Sequence, residues 1–276
     1  MIREWTPALA ALLASCTAVI DQSTFYPQAG AGPTETLAAP EGYRVEHAML
    51  DLPGLGVVHT ARLDNPASEA TLLYAGGNMN FVAGQTLRAA ALARATGADI
   101  LLYDYPGRGG TTVPATVDAS IAFGPAFLQA LRDRGWIGGG PLWVYGLSFG
   151  GNQAAGIARA AKANGLIIEG SAADLAAVGR NFVPRIVKPF VKLRVDPDLA
   201  RYDYAGYAVA ARAPVLLIAS KDDEVVTPRN MTAFGEQLRA QGVDVRSVTV
   251  PGPHGTALRK PAAIEAIRSF TAAQSR

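Results

Sequence analysis

The chain has 276 residues, of which 49% are hydrophobic and 17% are charged, and its net charge is +2. This length suits one large α/β domain better than two small ones, and the composition provides a substantial apolar core. The near-neutral charge argues against a nucleic-acid partner. There is no His-Glu-x-x-His sequence or Cys/His cluster for a metal, and no Gly-rich run with the pattern of a nucleotide-binding loop. We therefore expect neither a metal nor another cofactor.

The start of the chain has the pattern of a secretion signal. Arg3 precedes an apolar run at residues 7–14, which is far shorter than the roughly 20 residues that span a bilayer. Leu13-Ala-Ser-Cys16 resembles the lipobox of bacterial lipoproteins. The resemblance implies that residues 1–15 are a signal peptide and that acyl chains on Cys16 anchor the protein to a membrane. The alternative is a soluble secreted protein, or an apolar N-terminal segment with a chance cysteine.

The residues after Cys16 predict where the anchor lies and how it joins the fold. Thr17 stands where some inner-membrane lipoproteins carry an aspartate. We therefore expect a bacterial cell-envelope location, with the anchor in the outer membrane and the protein facing the periplasm. The next residues are rich in Ala, Gly, Pro, Ser and Thr without a hydrophobic period, which predicts a lipidated, flexible tether over residues 16–41. The folded domain is expected over residues 42–276.

Strands and helices alternate in most of this domain. Two antiparallel strands are predicted first, at residues 43–50 and 56–63, joined by the Pro53-Gly54 turn. Further strands are predicted at residues 71–75, 99–103, 165–169, 214–219 and 245–250, and a short apolar strand starts at Leu142 and runs into Gly146. Helices are predicted at residues 84–96, 118–134, 228–240 and 261–273, and another follows Ser148. This order predicts an α/β fold with a mostly parallel central sheet and helices on both faces.

One segment, at about residues 171–211, interrupts the alternation. It contains no clean strand, and Pro184, Pro189 and Pro197 prevent one long helix. An insertion here lies beyond the carboxyl ends of the strands, where open α/β sheets bind ligands, so we predict a small lid. The alternative is an ordinary long connection with a helix of its own.

A candidate nucleophile lies in Gly146-Leu-Ser-Phe-Gly150, between a predicted strand and a small-residue helix. A serine on so sharp a turn exposes its hydroxyl, and the flanking glycines prevent crowding. The alternative role for Ser148 is to cap the helix. A serine nucleophile needs a base. His47 and His59 fall on the first two strands, where structural or solvent-facing roles are expected, whereas His254 follows the last strand in a loop and is the candidate base.

The acid that orients the base should follow an intermediate strand, where Asp222 and Asp223 are both candidates. Here the chain is similar to the α/β-hydrolase superfamily, in particular its short-lidded esterase, lipase and aminopeptidase-like branch. Asp223-Glu-Val-Val-Thr-Pro228 is similar to the family's Asp-x-Val-Val run, which favours Asp223. The order Ser148, Asp223, His254 is also the order of the family. The resemblance covers about residues 43–273.

The resemblance also implies two backbone N–H donors for an oxyanion. One belongs to Phe149, the residue after the candidate nucleophile. The second comes from the loop after the third strand, where family members carry His-Gly and this chain has Gly76-Gly77-Asn78. If Gly77 matches the family glycine, the donor is Asn78; the alternative donor is Gly77. The loop at residues 104–111 also resembles a family loop and is expected to be structural.

The implied function is a membrane-tethered serine hydrolase that cleaves carboxylic esters, including lipid or acyl-thioester bonds, through an acyl-enzyme. Two alternatives remain: an aminopeptidase or amidase with the same triad, and a non-catalytic envelope lipoprotein that keeps the fold for binding. Residues 181–195 mix apolar side chains with Arg185, Lys188, Lys192 and Arg194 and contain no acid, which suits anionic head groups. Alternatively, the apolar side covers the pocket while the cations face water.

Overall fold

The computed structural model of the protein describes residues 16–25, 32, 35–78 and 80–274. The predicted signal peptide lies outside these residues. The strands are β1 (Cys16–Ile20), β2 (Arg44–Leu52), β3 (Gly56–Asp64), β4 (Thr71–Ala75), β5 (Asp99–Tyr103), β6 (Leu142–Leu147), β7 (Gly165–Glu169), β8 (Val191–Val195), β9 (Val215–Ser220) and β10 (Val245–Val250). The helices are α1 (Gln22–Phe25), α2 (Thr86–Thr96), α3 (Val117–Asp133), α4 (Gly150–Ala161), α5 (Leu175–Gly179), α6 (Pro197–Ala200), α7 (Tyr204–Ala210), α8 (Pro228–Ala240) and α9 (Pro261–Ala273).

Eight of these strands form the central sheet, in the order β10-β9-β7-β6-β4-β5-β3-β2. Neighbours are parallel except where β3 pairs with β2 and with β5. The predicted mostly parallel sheet is therefore confirmed. Parallel strands joined through helices have their carboxyl ends at one edge, so the loops after β4, β6, β7, β9 and β10 meet there.

Helices cover both faces of the sheet, as the sequence predicted. Strands β4, β5, β6, β7 and β9 are buried along their whole length. Alternate strand residues contact different cores: Leu73, Val144 and Leu217 pack on one side, and Leu72, Tyr145 and Leu216 on the other. The first core includes Phe123 of α3, Ile157 of α4, Tyr204 of α7 and Phe234 of α8; the second includes Leu92 of α2 and Phe270 of α9. Burial on both faces explains why these strands are continuously apolar in sequence.

The predicted lid segment contains a strand that the sequence analysis did not find. Strand β8 lies within it and pairs in parallel with β1, so that Cys16 lies opposite Val191 and Ile20 opposite Val195. The expectation that residues 171–211 contain no clean strand is wrong. The sequence of β8 alternates apolar with cationic residues. Lys192 and Arg194 are exposed, and the apolar residues on either side of each are half-buried.

The pairing of β1 with β8 involves the start of residues 16–41, for which the sequence predicts a flexible tether. The first described part of this segment is β1 followed by α1, and Ile20 is buried against Val117 and Leu199. Further along, Leu37 is buried in the core on the α2 side of the sheet. Within the described ranges, no helix is long and apolar enough to cross a membrane.

Candidate active site

Ser148 lies on the turn from β6 to α4, in a left-handed backbone conformation that residues other than glycine rarely adopt. Its φ is +53°, and its N–H donates to the carbonyl of Glu169 over 2.8 Å. The flanking glycines leave no room for side chains. A Cβ on Gly146 would lie 2.5 Å from the carbonyl oxygen of Gly150, and one on Gly150 would lie 2.1 Å from the carbonyl oxygen of Ala75. Backbone strain of this kind persists only where the surrounding structure enforces it, and it is typical of functional sites.

His254 lies in the loop after β10, beside the carboxylate of Asp223. Its Nδ1 is 2.7 Å from Asp223 Oδ2. The Asp223 side chain is fully buried, and its Oδ1 accepts hydrogen bonds from the N–H groups of Val225 and Val226 at 2.9 and 2.8 Å. These three contacts fix the carboxylate after β9. An acid held in this way orients the imidazole ring and determines which ring nitrogen carries a proton.

The neighbouring Asp222 points elsewhere. It is exposed, and its Oδ2 accepts a hydrogen bond from the N–H of Gly252 at 3.0 Å. The structure thus brings Asp223, and not Asp222, to His254. Ser148 and His254 line one cavity, although no hydrogen bond joins these two described residues. Catalytic hydrogen bonds of this type often tighten only when substrate is bound.

The candidate oxyanion donors lie next to Ser148. Asn78, in the loop after β4, lines the cavities on both sides of Ser148, while Gly77 lines one of them and Phe149 the other. The Asn78 side chain reaches the N-terminal segment, where its Nδ2 donates to the carbonyl of Thr24 over 3.4 Å. Both Gly77 and Asn78 therefore remain candidates for the second donor.

The loop at residues 104–111, for which the sequence predicts a structural role, packs against this site. The hydroxyl of Tyr105 donates to the carbonyl of Gly76, and its ring lies 5.9 Å from that of Phe149. The Tyr105 side chain therefore contacts both segments that carry candidate oxyanion donors. A buried hydrogen bond of this kind restricts the positions that the loop after β4 can take.

Asp104, at the start of the same loop, is buried and joins three segments. Its Oδ1 accepts a hydrogen bond from the N–H of Val82 at 2.6 Å, and its Oδ2 lies 2.7 Å from His59 Nδ1. His59 Nε2 lies 3.1 Å from His47 Nδ1. Both histidines thus belong to a hydrogen-bonded chain that starts at Asp104, away from Ser148. This placement agrees with the structural role expected for them.

Glu169, the last residue of β7, is a part of the site that the sequence analysis missed. It is only 1% exposed; its Oε1 accepts from the N–H of Ala257 at 2.9 Å, and its Oε2 accepts from the hydroxyl of Tyr145. Burial raises the pKa of the Glu169 carboxyl above its ordinary value. Through Ala257, this side chain holds the segment that follows His254. The only signal in the sequence is an acid as the last residue of an otherwise apolar strand.

Two cavities flank Ser148. The first, which we call the apolar cavity, has a volume of about 440 Å³. Its walls come from β1, the helix α5, the strand β8 and the segment after β9; they include Ile20, Leu175, Val178, Leu193 and Val225. The second, the polar cavity, has a volume of about 370 Å³, and its lining includes Tyr74, Asn80, Gln85, Arg88 and His254. Ser148 and Asn78 also line it, whereas Tyr74, Asn80, Gln85 and Arg88 belong to no motif from which the sequence predicts a site.

Comparisons with known proteins give the fold its context. No family model matches the chain. The uncharacterized proteins Rv2307c and MT2364, from two strains of Mycobacterium tuberculosis, are each 28% identical over 235 residues, which is 83% of this chain and 77% of the relative.

Among solved structures, the chain is similar to the Pyrococcus furiosus esterase Pf2001, with a TM-score of 0.68 at 16% identity over 89% of this chain and 98% of that one. Carboxyl esterase 2 from Tuber melanosporum gives a TM-score of 0.63 at 18% identity over 99% of both chains. A thermostable Pseudomonas putida esterase gives 0.61 at 18% identity over 85% of this chain and 83% of that one.

The fold is that of the α/β-hydrolases. At these identities the likeness establishes the fold, and the α/β-hydrolase order of strands explains why Ser148, Asp223 and His254 meet although they are far apart in sequence. Within the described ranges, no group of three or more His, Cys, Asp or Glu side chains is arranged to hold a metal ion.

Proposed function

We propose that this protein is a serine hydrolase that cleaves carboxylic esters. The observation that carries the proposal is the pairing of His254 with the buried carboxylate of Asp223, at the cavity into which the strained turn places Ser148. A serine, an imidazole and a buried acid in these relations form the constellation used in acyl transfer. The structural neighbours are named esterases, which favours an ester over an amide as the scissile bond.

The proposed reaction has two steps. Ser148 Oγ attacks the ester carbonyl and passes its proton to His254, which becomes an imidazolium opposite Asp223. The oxyanion accepts hydrogen bonds from the backbone N–H of Phe149 and that of Asn78 or Gly77. The C–O bond then breaks, and His254 returns the proton to the leaving alcohol. A water molecule, activated by His254 in the same way, releases the acid from the acyl-enzyme.

The apolar cavity supports an acyl chain as the part of the substrate that stays on the enzyme. Its lining is mainly aliphatic, from residues such as Ile20, Val178 and Leu193, and it reaches Ser148 directly. Burial of methylene groups against such a wall is favourable by about 0.8 kcal/mol for each group. The substrate class is therefore a small-molecule or lipid ester with an apolar acyl chain.

Labelling with a fluorophosphonate probe tests this function. The wild-type protein should be labelled, and Ser148→Ala should abolish labelling and lower ester turnover by roughly 10⁴-fold or more. The probe result decides whether the fold acts as a serine hydrolase or only as a binding scaffold. Comparison of p-nitrophenyl esters with aminoacyl anilides then separates an esterase from an amidase. Activity on the anilides alone would contradict the ester proposal.

We also propose that a lipid on Cys16 attaches the protein to the bacterial cell envelope, at the periplasmic face of the outer membrane. The surface next to β1 supports this proposal. Phe182, Ile186 and Phe190 are exposed large apolar residues on the lid, and Ile186 is 88% exposed. Residues 175–195 carry five cations and no acid. Within the described ranges, none of these cations forms an ion pair.

An exposed surface that combines apolar and cationic side chains matches the boundary of an anionic lipid layer. We therefore expect intact-mass analysis to find acyl chains on Cys16, and Cys16→Ala to release the protein from the outer-membrane fraction. An unmodified N-terminus, or a wild-type protein found free in the periplasm, would contradict the anchor.

Vesicles containing phosphatidylglycerol test the lid surface separately, with the unacylated Cys16→Ala protein. Ile186→Ser should weaken binding by roughly 10- to 100-fold, the value expected for one large apolar side chain. Leu87→Ser is the matched control, because Leu87 is 76% exposed but lies on α2. Equal effects of the two substitutions would exclude a specific role of the lid.

A further inference from the structure

The polar cavity differs in chemistry from the apolar cavity on the other side of Ser148. It lies between Ser148, His254 and the beginning of α2, and three of its lining side chains carry amides: Asn78, Asn80 and Gln85. Tyr74 adds a phenol and Arg88 a guanidinium. A cavity with this lining binds polar ligands through a few placed donors and acceptors.

Several of these side chains have polar atoms without a hydrogen-bond partner in the described part of the chain. They are Tyr74 Oη, Asn78 Oδ1, Asn80 Oδ1 and Gln85 Oε1. The Asn80 amide is oriented, because its Nδ2 donates to the carbonyl of Tyr103 over 3.0 Å and its Oδ1 packs against Gly76, where an added Cβ would lie 1.9 Å from it. Tyr74 is fully buried and Asn80 is 2% exposed. A buried polar atom without a partner is unfavourable by about 1–3 kcal/mol, and its place in a cavity beside a reactive serine indicates a ligand-binding role.

Arg88 gives the cavity a positive charge. Its only hydrogen bond to a described residue is a long one, from Nη2 to the carbonyl of Gly255 over 3.4 Å, and it forms no ion pair in the described ranges. Most of its five N–H donors therefore remain for a ligand. A guanidinium in this position matches phosphate or carboxylate oxygens.

The position of His254 determines which half of an ester enters this cavity. In the proposed reaction His254 protonates the leaving alcohol, so that alcohol must lie on the His254 side of Ser148. His254 lines the polar cavity and does not line the apolar one. The acyl chain therefore lies in the apolar cavity and the leaving alcohol in the polar one.

We infer that the natural leaving group is an alcohol that carries further hydroxyl groups and an anionic group, and this inference rests on the proposed function. The hydroxyls donate to Gln85 Oε1, at the end of a flexible side chain, and the anion accepts hydrogen bonds from Arg88. The substrate class is thus narrowed from acyl esters to acyl esters of a hydroxylated, anionic alcohol. Phosphate and carboxylate share the chemistry that Arg88 recognises.

Three esters with the same acyl chain test the inference: those of glycerol 3-phosphate, glycerol and ethanol. We expect kcat/KM to fall in that order. Arg88→Gln should lower kcat/KM for the glycerol 3-phosphate ester by about 10- to 100-fold, as expected for a hydrogen bond to a charged group, and change the other two by less than about threefold. Arg88→Lys should restore part of the loss. Arg132→Gln, an exposed arginine on α3, is the control.

Gln85→Met tests the hydroxyl contacts with little change in size. Gln85 precedes α2, but its side chain makes no capping hydrogen bond, so the substitution leaves the helix start intact. We expect kcat/KM for the glycerol ester to fall about 2- to 10-fold relative to the ethyl ester. Equal rates for the three esters, or an equal loss for all three in Arg88→Gln, would overturn the inference.

Two further measurements separate this inference from the proposed function. Fluorophosphonate labelling of Ser148 in each variant reports an intact site, and an unlabelled wild type would refute the hydrolase proposal alone. Calorimetric binding of glycerol 3-phosphate to the Ser148→Ala protein then still tests the cavity. Binding that is lost in the Ser148→Ala, Arg88→Gln double variant supports the inference, and no binding before that change overturns it.

Discussion

The two cavities beside Ser148 are built from different parts of the molecule. The polar cavity is lined by residues of β4, of the loops after β4, β6 and β10, and of α2, which pack on the central sheet. The apolar cavity takes much of its wall from β1, α5 and β8, where the described side chains other than Ile20 are half-buried or exposed. The residues proposed to bind the leaving group are therefore held by the large core of the domain. The wall proposed to bind the acyl chain belongs to a thinner layer, which consists of β1, α5 and β8.

That thinner layer has its own small core. Ile20, Val117 and Leu199 are the buried members of the cluster that attaches β1 and the lid to the domain. A second attachment is polar: Asn181 Nδ2 donates to the carbonyl of Val225 and to the side chain of Asn230, both over 2.9 Å. With few buried contacts, such a layer can change shape without loss of the main fold. Acyl selectivity is therefore expected to be easier to alter than the chemistry at Ser148.

The largest effect on activity is expected from a change at the catalytic groups, which the large core of the domain holds in place. Asp223→Asn should lower kcat by about 10⁴-fold, because an amide no longer holds the His254 ring in the required protonation state. Asp222→Asn keeps an oxygen for the N–H of Gly252 and should change kcat by no more than about twofold. Steady-state kinetics with one p-nitrophenyl ester measures both. Similar losses of kcat in the two variants would show that activity does not depend on which of the two carboxylates contacts His254.

An intermediate effect is expected on the apolar side. A Cβ on Gly179 would lie 2.8 Å from Ile20 Cδ1 and 3.1 Å from Leu193 Cδ1, which are flexible side-chain ends. Gly179→Val should fill part of the apolar cavity and lower kcat/KM for a long-chain p-nitrophenyl ester by about tenfold, while the acetate ester stays within about twofold.

Gly138→Val is the matched control for this change, since a Cβ at Gly138 meets no atom within 4 Å. An equal loss of rate for short and long esters in Gly179→Val would contradict the assignment of the apolar cavity to the acyl chain. That result would assign Gly179 to the support of Ser148 instead of the acyl wall.

The smallest effect concerns Glu169, which joins the main core to the His254 loop. Burial raises the pKa of this carboxyl, so the folded protein holds its proton more tightly than the unfolded chain does. The resulting stabilisation is fully present below the ordinary value of 4.5 and is lost as the pH rises through the folded-state pKa. Glu169→Gln keeps both hydrogen bonds of a protonated carboxyl and does not ionise.

The free energy of unfolding in urea, measured between pH 4 and pH 8, should therefore fall with rising pH in the wild type relative to Glu169→Gln. Glu236→Gln, at an exposed position on α8, should follow the wild type. Parallel curves for wild type and Glu169→Gln would show that ionisation of Glu169 does not affect stability.

The central sheet was predictable because its signals are local. Strands such as β4 and β7 are short, mostly apolar runs that are followed directly by glycine, and α8 starts after Thr227, whose hydroxyl caps the helix. Ser148 was predictable because Gly-x-Ser-x-Gly between a strand and a helix is itself a local signal, although the contacts that require Gly150 come from Ala75 and Gly76 at the end of β4. The choice between Asp222 and Asp223 depended on a resemblance in sequence and on a measured distance in the structure.

The remaining features have no local signal. Strand β8 has the alternation of a half-buried strand, but its partner β1 is separated from it by most of the chain, and such pairings depend on the assembled fold. Arg88 and Gln85 belong to no motif, and the binding roles proposed for them follow only from the cavity that they share with His254. Glu169 acquires its role because Ala257, far along the chain, returns to it.

The pairing of β1 with β8 also limits how far an anchored protein can reach. A free chain over residues 16–41 would let the domain move through roughly 25–30 Å. In β1, only about 13 Å of extended strand separates Cys16 from Ile20 at the wall of the apolar cavity. For a chain that carries its lipid on Cys16, we expect the apolar cavity to lie much closer to the anchor than a free tether of this length would allow. Such an enzyme would act on esters in the leaflet that holds it before it reached those of the opposite membrane.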